Sequence, residues 1–304
     1  MNLPSIHTPV MRVEWPGRSP LWVKDEGRCP TGTFKDRLAW RLAELLEGED
    51  AGPDLLITCI TLGNTALSLV TAFNAGLTPA RRPQLLGVFP AGFSARRIGP
   101  DNHGRSMRGE SLLARLEAEG MRCIEYPLDD AYLSASDIAN LARGHGLNFA
   151  RHRDISYGIG VPSYQSIAQE ALADLPDPAD VLVLPVGAGV LFEETVQYVE
   201  RCGLPTRVVG ATTLQSASIA DKIYARYSPY FETLLHAGVA SHPCYRSHFV
   251  KVVSDDAIVG ALRLMPSDLA VEPSAAAAFS LVSDPEVVPH EASVLVVNTG
   301  NGII

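Results

Sequence analysis

Short runs of apolar residues alternate along the chain with longer stretches whose apolar positions recur every three or four residues. A continuous short run is typical of a buried strand in a parallel sheet, and the three-and-four spacing is typical of a helix with one apolar face. The short runs predict strands over residues 54–60, 85–89, 121–126, 181–186, 207–211 and 293–297, and a weaker alternation predicts another over residues 21–24.

Helical stretches lie between these strands. They cover residues 36–48, 66–75, 111–119, 134–143, 163–175, 191–201, 255–264 and 274–282. Strands and helices that alternate in this way form mainly parallel sheets flanked by helices, so the predicted fold class is α/β. Residues 215–250 show no clear pattern, and no change in composition marks a linker. Two α/β domains in such a chain are expected to be interleaved.

Charge, apolar runs and cysteine content argue against some classes of partner without identifying the actual one. The 304 residues carry 25 Lys and Arg against 34 Asp and Glu, a formal net charge of −9. This acidity, without a basic run, argues against a nucleic-acid partner but leaves room for a local basic pocket. No apolar run reaches membrane-spanning length, and the N-terminus lacks the pattern of a signal peptide. Five cysteines without a Cys-x-x-Cys spacing fit reduced thiols, so a cytoplasmic protein without a membrane partner is expected.

The stretch around Lys35 combines a tight turn with the start of a helix. Pro30 and Gly32 are turn residues, and the helical spacing begins at Asp36. A lysine at such a junction is usually a solvated surface residue. The alternative is a Schiff-base lysine, whose amine condenses with an aldehyde. The surrounding residues alone favour the solvated lysine. Other stretches of the chain are needed to raise the probability of the Schiff-base lysine.

A second candidate site is the turn Gly187-Ala188-Gly189 between an apolar strand and a helix. Small residues let the backbone approach an anion, and a helix N-terminus supplies free N–H donors, so the turn suits a phosphate. An ordinary tight turn explains it equally well. A dinucleotide fingerprint fits poorly because Phe192 stands where the third glycine is required, which disfavours a nicotinamide-dependent oxidoreductase.

Two polar turns also follow predicted strands, at the end of a parallel sheet that usually faces a ligand. Asn64 lies in one of them and could donate to a phenolate or carboxylate oxygen, although a helix N-cap is the commoner role. Thr299 lies in the last turn and could offer its hydroxyl to a ring nitrogen. His242, Cys244 and His248 match no standard zinc spacing, so no metal site is predicted.

Five stretches, taken in order, resemble motifs of the fold-type II pyridoxal 5'-phosphate (PLP) enzymes, and threonine synthase most of all. The resemblance covers nearly the whole chain. Its residues are Val23-Lys24-Asp25-Glu26 with Pro30-Thr31-Gly32-Thr33-Phe34-Lys35-Asp36-Arg37, then Thr61-Leu62-Gly63-Asn64-Thr65, Pro185-Val186-Gly187-Ala188-Gly189, Val271-Glu272-Pro273-Ser274-Ala275-Ala276 and Thr299-Gly300-Asn301-Gly302.

The resemblance implies PLP as cofactor and a role for each site residue. Lys35 is implied to form the Schiff base with PLP and to act as the acid–base group, and Asn64 to hydrogen-bond the cofactor's 3-oxygen. Residues 187–189, Gly187-Ala188-Gly189, are implied to bind the phosphate, and Thr299 to face the pyridine nitrogen. A neutral hydroxyl there favours eliminations and replacements over transamination. Val190 stands where a further glycine is usual, so a tighter or shifted phosphate loop is expected.

The resemblance also implies an organisation and a reaction. A small α/β domain over residues 53–148 is expected to be inserted into a large PLP-binding domain made of residues 1–52 and 149–304, in a homodimer. The expected reaction is elimination or replacement at the side chain of a small-molecule amino acid, such as O-phosphohomoserine. The small-domain loop contains four arginines: Arg96, Arg97, Arg105 and Arg108. Some of them are candidates for binding an anionic side chain, and the rest are expected to be solvated.

Three alternatives stay open. One is a β-replacement of the cysteine synthase type, and another is an amino-acid ammonia-lyase in a specialised pathway. The third is a protein that binds PLP without turnover, which retention of Lys35 argues against.

Overall fold

The computed structural model describes residues 5–99, 102–128, 133–225, 228 and 248–302. Twelve strands are assigned in this part of the chain. They are β1 (Val10–Val13), β2 (Leu21–Asp25), β3 (Leu55–Ile60), β4 (Gln84–Pro90), β5 (Arg97–Ile98), β6 (Met107–Arg108), β7 (Met121–Tyr126), β8 (Arg151–Asp154), β9 (Val181–Pro185), β10 (Arg207–Thr212), β11 (Phe249–Val252) and β12 (Val294–Asn298).

The helices of the same part of the chain confirm the predicted pattern to within a few residues at each end. They are α1 (Lys35–Gly48), α2 (Asn64–Gly76), α3 (Gly109–Ala118), α4 (Ala135–Gly144), α5 (Gln165–Ala173), α6 (Val190–Arg201), α7 (Asp255–Leu264) and α8 (Pro273–Val282). Within the ranges that the structure describes, no helix is long and apolar enough to cross a membrane.

Two sheets organise the molecule, and both confirm the α/β fold class. The larger has the order β1-β2-β12-β9-β10-β11, and all its pairings are parallel except that of β1 with β2. The smaller has the order β7-β4-β3-β8 and is parallel throughout. The smaller sheet takes its strands from the middle of the chain, and the larger sheet takes its strands from both sides of it. The exact division into two domains stays a prediction.

Apolar content decides where each element lies. Every residue of β3, β9 and β12 is buried, as expected for central strands covered on both faces. Helix α8 is buried along its whole length against the larger sheet, and its run of four alanines gives it a slim surface that packs closely. The turns at the carboxyl ends of β3, β9 and β12 border one cavity.

Three edge strands of the two sheets were not predicted, namely β1, β8 and β11, and neither was the short pair of β5 and β6. The sequence of β8 is Arg-His-Arg-Asp and has no apolar residue, so its strand form depends on the ladder to β3. Strand β11 begins at the end of residues 215–250, where no pattern was found, and it pairs with β10. Edge strands are covered on fewer sides, so their sequences carry a weaker apolar signal.

Candidate active site

The loop before Lys35 is fastened to the last turn of the chain. The Phe34 N–H donates to the carbonyl of Thr299 at 3.0 Å, and the Asn301 N–H donates to the carbonyl of Gly32 at 3.0 Å. The structure thereby brings together two stretches that are more than 260 residues apart. Lys35 itself is the first residue of α1, one position earlier than the pattern predicts.

A group of buried charges lies next to this loop, and we name Lys24, Glu26, Arg37 and Glu170 the buried ion cluster. Arg37 donates to both oxygens of Glu26, at 2.6 and 2.8 Å, and to both oxygens of Glu170, at 2.7 and 2.8 Å. Lys24 donates to Glu170 at 2.7 Å. Burial raises the pKa of Glu170, but the hydrogen bonds from Arg37 and Lys24 outweigh it and hold that pKa below its usual range. The cluster fixes the first turn of α1 and hence the backbone at Lys35.

The Lys35 amine lies among aromatic groups. Its Nζ is 3.4 Å from the hydroxyl of Tyr164, 4.5 Å from the centre of the Phe34 ring and 5.4 Å from the centre of the Tyr164 ring. Burial lowers the pKa of Lys35 to about 8. A neutral amine is the nucleophilic form, so this surrounding prepares Lys35 to attack an aldehyde near neutral pH.

Tyr164 was not predicted to belong to the site. Burial raises its pKa well above the ordinary value, so the phenol stays neutral beside Lys35. Its position is fixed by Glu194, whose Oε2 accepts the N–H groups of Ser163, Tyr164 and Gln165 at 2.9, 2.6 and 3.1 Å. This carboxylate therefore satisfies the start of α5. No motif in the sequence marks Tyr164, because its role comes from the packing of α5 against the lysine loop.

The turn Gly187-Ala188-Gly189 joins β9 to α6 and needs its small residues. Gly189 has a φ of 96°, which is disfavoured for residues with a side chain. A Cβ on Gly187 would lie 3.2 Å from the carbonyl oxygen of Lys222 and 3.5 Å from the Cα of Ile223. The N-terminus of α6 follows directly, with N–H groups that have no partner within the helix. An anion such as a phosphate fits this cradle.

Asn64 is the first residue of α2, and Gly63 before it is the N-cap, with a φ of 115°. The helix N-cap interpretation of Asn64 is therefore wrong. Its side chain instead faces two charged groups: Nδ2 donates to Oε1 of Glu272 at 3.2 Å, and Oδ1 accepts from Nζ of Lys222 at 3.3 Å. Lys222 and Glu272 also form an ion pair with each other. Lys222 was missed because no pattern covers its segment, and Glu272 was noted only within its motif.

One cavity of about 950 Å³, including its open mouth, connects these groups. Thr299, which is buried, and Lys35 both line this cavity. All of the predicted site residues thus border the same space: Lys35, Asn64, Gly187, Ala188, Gly189 and Thr299. An amine with a lowered pKa, an amide, a hydroxyl and a phosphate cradle in one cavity fit PLP, which presents an aldehyde, an oxygen, a ring nitrogen and a phosphate.

A family model confirms the cofactor. The model described as "Pyridoxal-phosphate dependent enzyme" matches residues 3–300. The chain belongs to this family. Its members use PLP, so PLP is the cofactor of this PLP-dependent protein and the nicotinamide alternative is excluded. No match was found among curated protein sequences.

Several solved structures share the fold over most of their length. A hydrogen sulfide-producing enzyme from Fusobacterium nucleatum is 18% identical, with a TM-score of 0.69 over 96% of this chain and 94% of that one. A PLP-dependent aspartate racemase is 18% identical, with a TM-score of 0.68 over 97% and 90%. An O-acetylserine dependent cystathionine beta-synthase from Helicobacter pylori is 18% identical, with a TM-score of 0.67 over 96% and 92%. At this identity the likeness concerns the fold.

The four arginines of the small-domain loop separate in the structure. Arg97 and Arg108 are exposed, and Arg96 lies 3.7 Å from Asp221 in an ion pair. Arg105 lines a smaller cavity beside the main one, which Lys222 also borders. Only Arg105 is thus placed at a cavity next to the predicted site residues.

The histidines and the cysteine weighed for a metal do not form a described centre. His242 and Cys244 lie outside the described residues. His248 is buried, accepts the Val208 N–H at 2.9 Å through Nδ1, and lies 2.8 Å from Glu200 through Nε2. No group of three or more potential metal ligands occurs within the described part of the chain.

Proposed function

We propose that the protein catalyses elimination or replacement at the side chain of an amino acid, with a threonine synthase-like preference for O-phosphohomoserine or a related activated hydroxy-amino acid. The observation that carries the proposal is the meeting of Lys35 and Thr299 in one cavity, joined through the backbone of their two loops. Lys35 supplies the proton-transfer group, and Thr299 supplies a neutral partner for the ring.

In this proposal the chain holds PLP at three points. Residues 187–189 and the start of α6 bind the phosphate, Asn64 donates to the 3-oxygen, and Thr299 faces the pyridine nitrogen. Bound PLP supplies an electron sink for the pair left when the substrate's α-proton departs. A hydroxyl at Thr299 would be a weaker partner for the ring nitrogen than a carboxylate, which would favour loss of a side-chain leaving group over storage of negative charge in the ring.

Lys35 removes the α-proton in this proposal. Its lowered pKa of about 8 keeps a useful fraction of the amine neutral near neutral pH, which is the form that accepts a proton. The neutral Tyr164 hydroxyl, 3.4 Å from Nζ, orients the amine and takes no charge.

The position of Arg105 supports an anionic side chain on the substrate. It borders the smaller cavity that adjoins the main one, whereas Arg108 is exposed. Guanidinium groups bind phosphate with paired, charge-assisted hydrogen bonds. Arg105→Met is expected to raise KM for O-phospho-L-homoserine about tenfold, by loss of a charge-assisted bond. Arg108→Met is the matched control and is expected to leave KM unchanged.

The test of the function is a substrate panel on the PLP-loaded protein. The panel contains O-phospho-L-homoserine, O-phospho-L-serine, O-acetyl-L-serine, L-serine and L-threonine, each with and without sulfide. Release of phosphate or acetate with formation of threonine, a keto acid or a thiol product is expected. Exchange of the α-proton without loss of any leaving group would overturn the proposal in favour of a racemase. Bound PLP without turnover or exchange on the whole panel would overturn it in favour of a non-catalytic role.

A further inference from the structure

A second lysine lies in the wall of the main cavity. Lys222 belongs to a short 3-10 helix, Asp221–Ile223, and its side chain is 14% exposed. Its Nζ donates to Oδ1 of Asn64 at 3.3 Å and to Oε2 of Glu272. The other carboxylate oxygen of Glu272 accepts from Nδ2 of Asn64 at 3.2 Å. Lys222, Glu272 and Asn64 thus form a closed ring of three contacts, which we name the amide ring.

The chemistry of the amide ring permits only one orientation of the Asn64 amide. An ammonium group donates only, and a carboxylate accepts only. The amide oxygen must therefore face Lys222, and the amide nitrogen must face Glu272. A reversed amide would place N–H against ammonium and oxygen against carboxylate, which are both repulsive. The nitrogen carries two hydrogens and Glu272 takes one, so the second is available to an acceptor in the cavity that Asn64 borders.

We propose that Lys222 and Glu272 are positioning residues that lock the Asn64 amide with an N–H directed to the 3-oxygen of PLP. This inference rests on the role given to Asn64 in the proposed function. The two side chains also offset each other's charge, so the lock adds no net charge beside that oxygen. An asparagine alone could present either end to the cavity, and a presented carbonyl would repel an oxyanion.

The backbone on both sides of the amide ring is held by other contacts. Asp221, next to Lys222, pairs with Arg96 at 3.7 Å. Val271, next to Glu272, donates its N–H to Oδ1 of Asn102 at 2.9 Å. Neither contact uses the side chain of Lys222 or Glu272. Variants of those two side chains are therefore expected to keep the local backbone and the fold.

The experiment compares absorbance spectra and PLP affinity of the loaded protein and its variants. Lys222→Met removes the donor to Asn64 and leaves Glu272 unpaired. The 3-oxygen then loses its oriented N–H and gains a nearby negative charge, so it holds a proton more readily. We expect a larger fraction of bound PLP in the short-wavelength band, in which the 3-oxygen is protonated, and an affinity about tenfold lower. Lys222→Arg keeps charge and donors and is expected to restore most of the parental spectrum.

A double-mutant cycle decides whether Lys222 acts through Asn64. Asn64→Ala is expected to shift the spectrum in the same direction, and Lys222→Met added to it is expected to cause a smaller shift than Lys222→Met alone, because only the effect of the Glu272 charge is then left. Lys251→Met is the matched control, since Lys251 pairs with Asp284 and does not border the cavity. An unchanged spectrum in Lys222→Met with lost turnover would assign Lys222 to the substrate instead, and additive shifts would also overturn the inference. If the parent protein fails to bind PLP, the proposed function itself fails.

Discussion

The buried ion cluster and the cavity wall around Lys35 each contain a buried lysine, but the two lysines have different partners. Lys24 in the cluster is fully buried, and its ammonium has a carboxylate of Glu170 at 2.7 Å and the carbonyl of Thr8 at 2.6 Å. Lys35 has a phenol at 3.4 Å and two ring faces, and it forms no ion pair within the described residues. The first ammonium has a carboxylate partner and the second has none, which is the difference that the proposed role of Lys35 rests on.

The same contrast separates the three lysines near the site, Lys24, Lys35 and Lys222, by whether a carboxylate pairs with them. Lys222, like Lys24, has a carboxylate partner, Glu272. A paired ammonium is stabilised in its charged form, whereas burial without a partner favours the neutral form. A motif that contains lysine does not by itself predict which amine is nucleophilic, and the distribution of carboxylates around each lysine favours Lys35.

The largest expected effect is that of Lys35→Ala, which removes the reactive side of the comparison. Covalent attachment of PLP is expected to disappear and turnover to fall more than a hundredfold, since the acid–base group is lost. The fold is expected to stay intact, because Lys35 does not belong to the buried ion cluster. Borohydride reduction followed by mass spectrometry measures the attachment. Equal labelling of the variant and the parent would rule out this role, and Lys251→Ala serves as the control that keeps full labelling.

Arg37→Met removes the central cation of the buried ion cluster. It leaves Glu26 and Glu170 without their shared guanidinium in a buried place, where Arg37 is only 3% exposed. The free energy of unfolding is expected to fall by about 3–5 kcal/mol. Arg41→Met, which breaks an exposed pair with Glu44 one turn further along α1, is the control and is expected to cost about 0–1 kcal/mol. Urea unfolding measures both, and similar losses in the two variants would contradict the distinction.

Gly187→Asp tests the cavity at the glycine turn between β9 and α6. A side chain there meets the backbone of Lys222 at 3.2 Å and brings a carboxylate to the phosphate cradle. PLP affinity is expected to fall at least about tenfold, by the loss of a charge-assisted contact, while stability changes less. Gly260→Asp is the control, because a Cβ at Gly260 meets open space. Cofactor absorbance after dialysis measures PLP retention, and the melting temperature measures stability. Full retention of PLP in Gly187→Asp would contradict the assignment of residues 187–189 to phosphate binding.

The sequence predicted the strands and helices well where one face or both faces are apolar. The runs at β3, β9 and β12 are fully buried, so their composition reflects their position. It could not predict β8, whose polar residues form a strand only because β3 offers a ladder. The turns that follow the buried strands were predicted equally well, and they or the helix starts after them carry the predicted site residues other than Lys35.

The rest of the candidate site depends on contacts between distant segments. Tyr164 reaches Lys35 because Glu194 on another helix holds the start of α5. Lys222 reaches Asn64 from a segment without any pattern. Such pairings follow from packing and charge in three dimensions, and no local spacing encodes them. The roles of the site residues themselves stay predictions until the variants above are measured.

The pH dependence of cofactor attachment sharpens the contrast between a paired and an unpaired lysine. Attack on the PLP aldehyde needs the neutral amine, and the pKa of Lys35 is lowered to about 8 from its ordinary value. The neutral fraction therefore increases as the pH rises through about 8, and the attachment rate of cofactor-free protein is expected to rise there and then level. Stopped-flow absorbance measures the rate, with Nα-acetyl-lysine as the control for an unburied amine. A midpoint at the control's higher pH would show that burial does not activate Lys35.

The smallest expected effect is that of Thr299→Ser, and its value lies in comparison with Thr299→Asp. Thr299 is buried and borders the cavity, and its carbonyl accepts the Phe34 N–H that fastens the lysine loop. Serine keeps both the hydroxyl and the backbone, so turnover is expected to change no more than a few-fold, roughly the worth of one lost methyl contact. Aspartate, if it stays ionised, pairs with a protonated ring nitrogen and strengthens the electron sink. Loss of the leaving group should then slow relative to exchange of the α-proton. Deuterium exchange at the α-carbon, measured against product formation on one accepted substrate, gives the ratio. An unchanged ratio in Thr299→Asp with PLP still bound would mean that Thr299 does not face the nitrogen, and the preference for elimination would then lose its electronic basis.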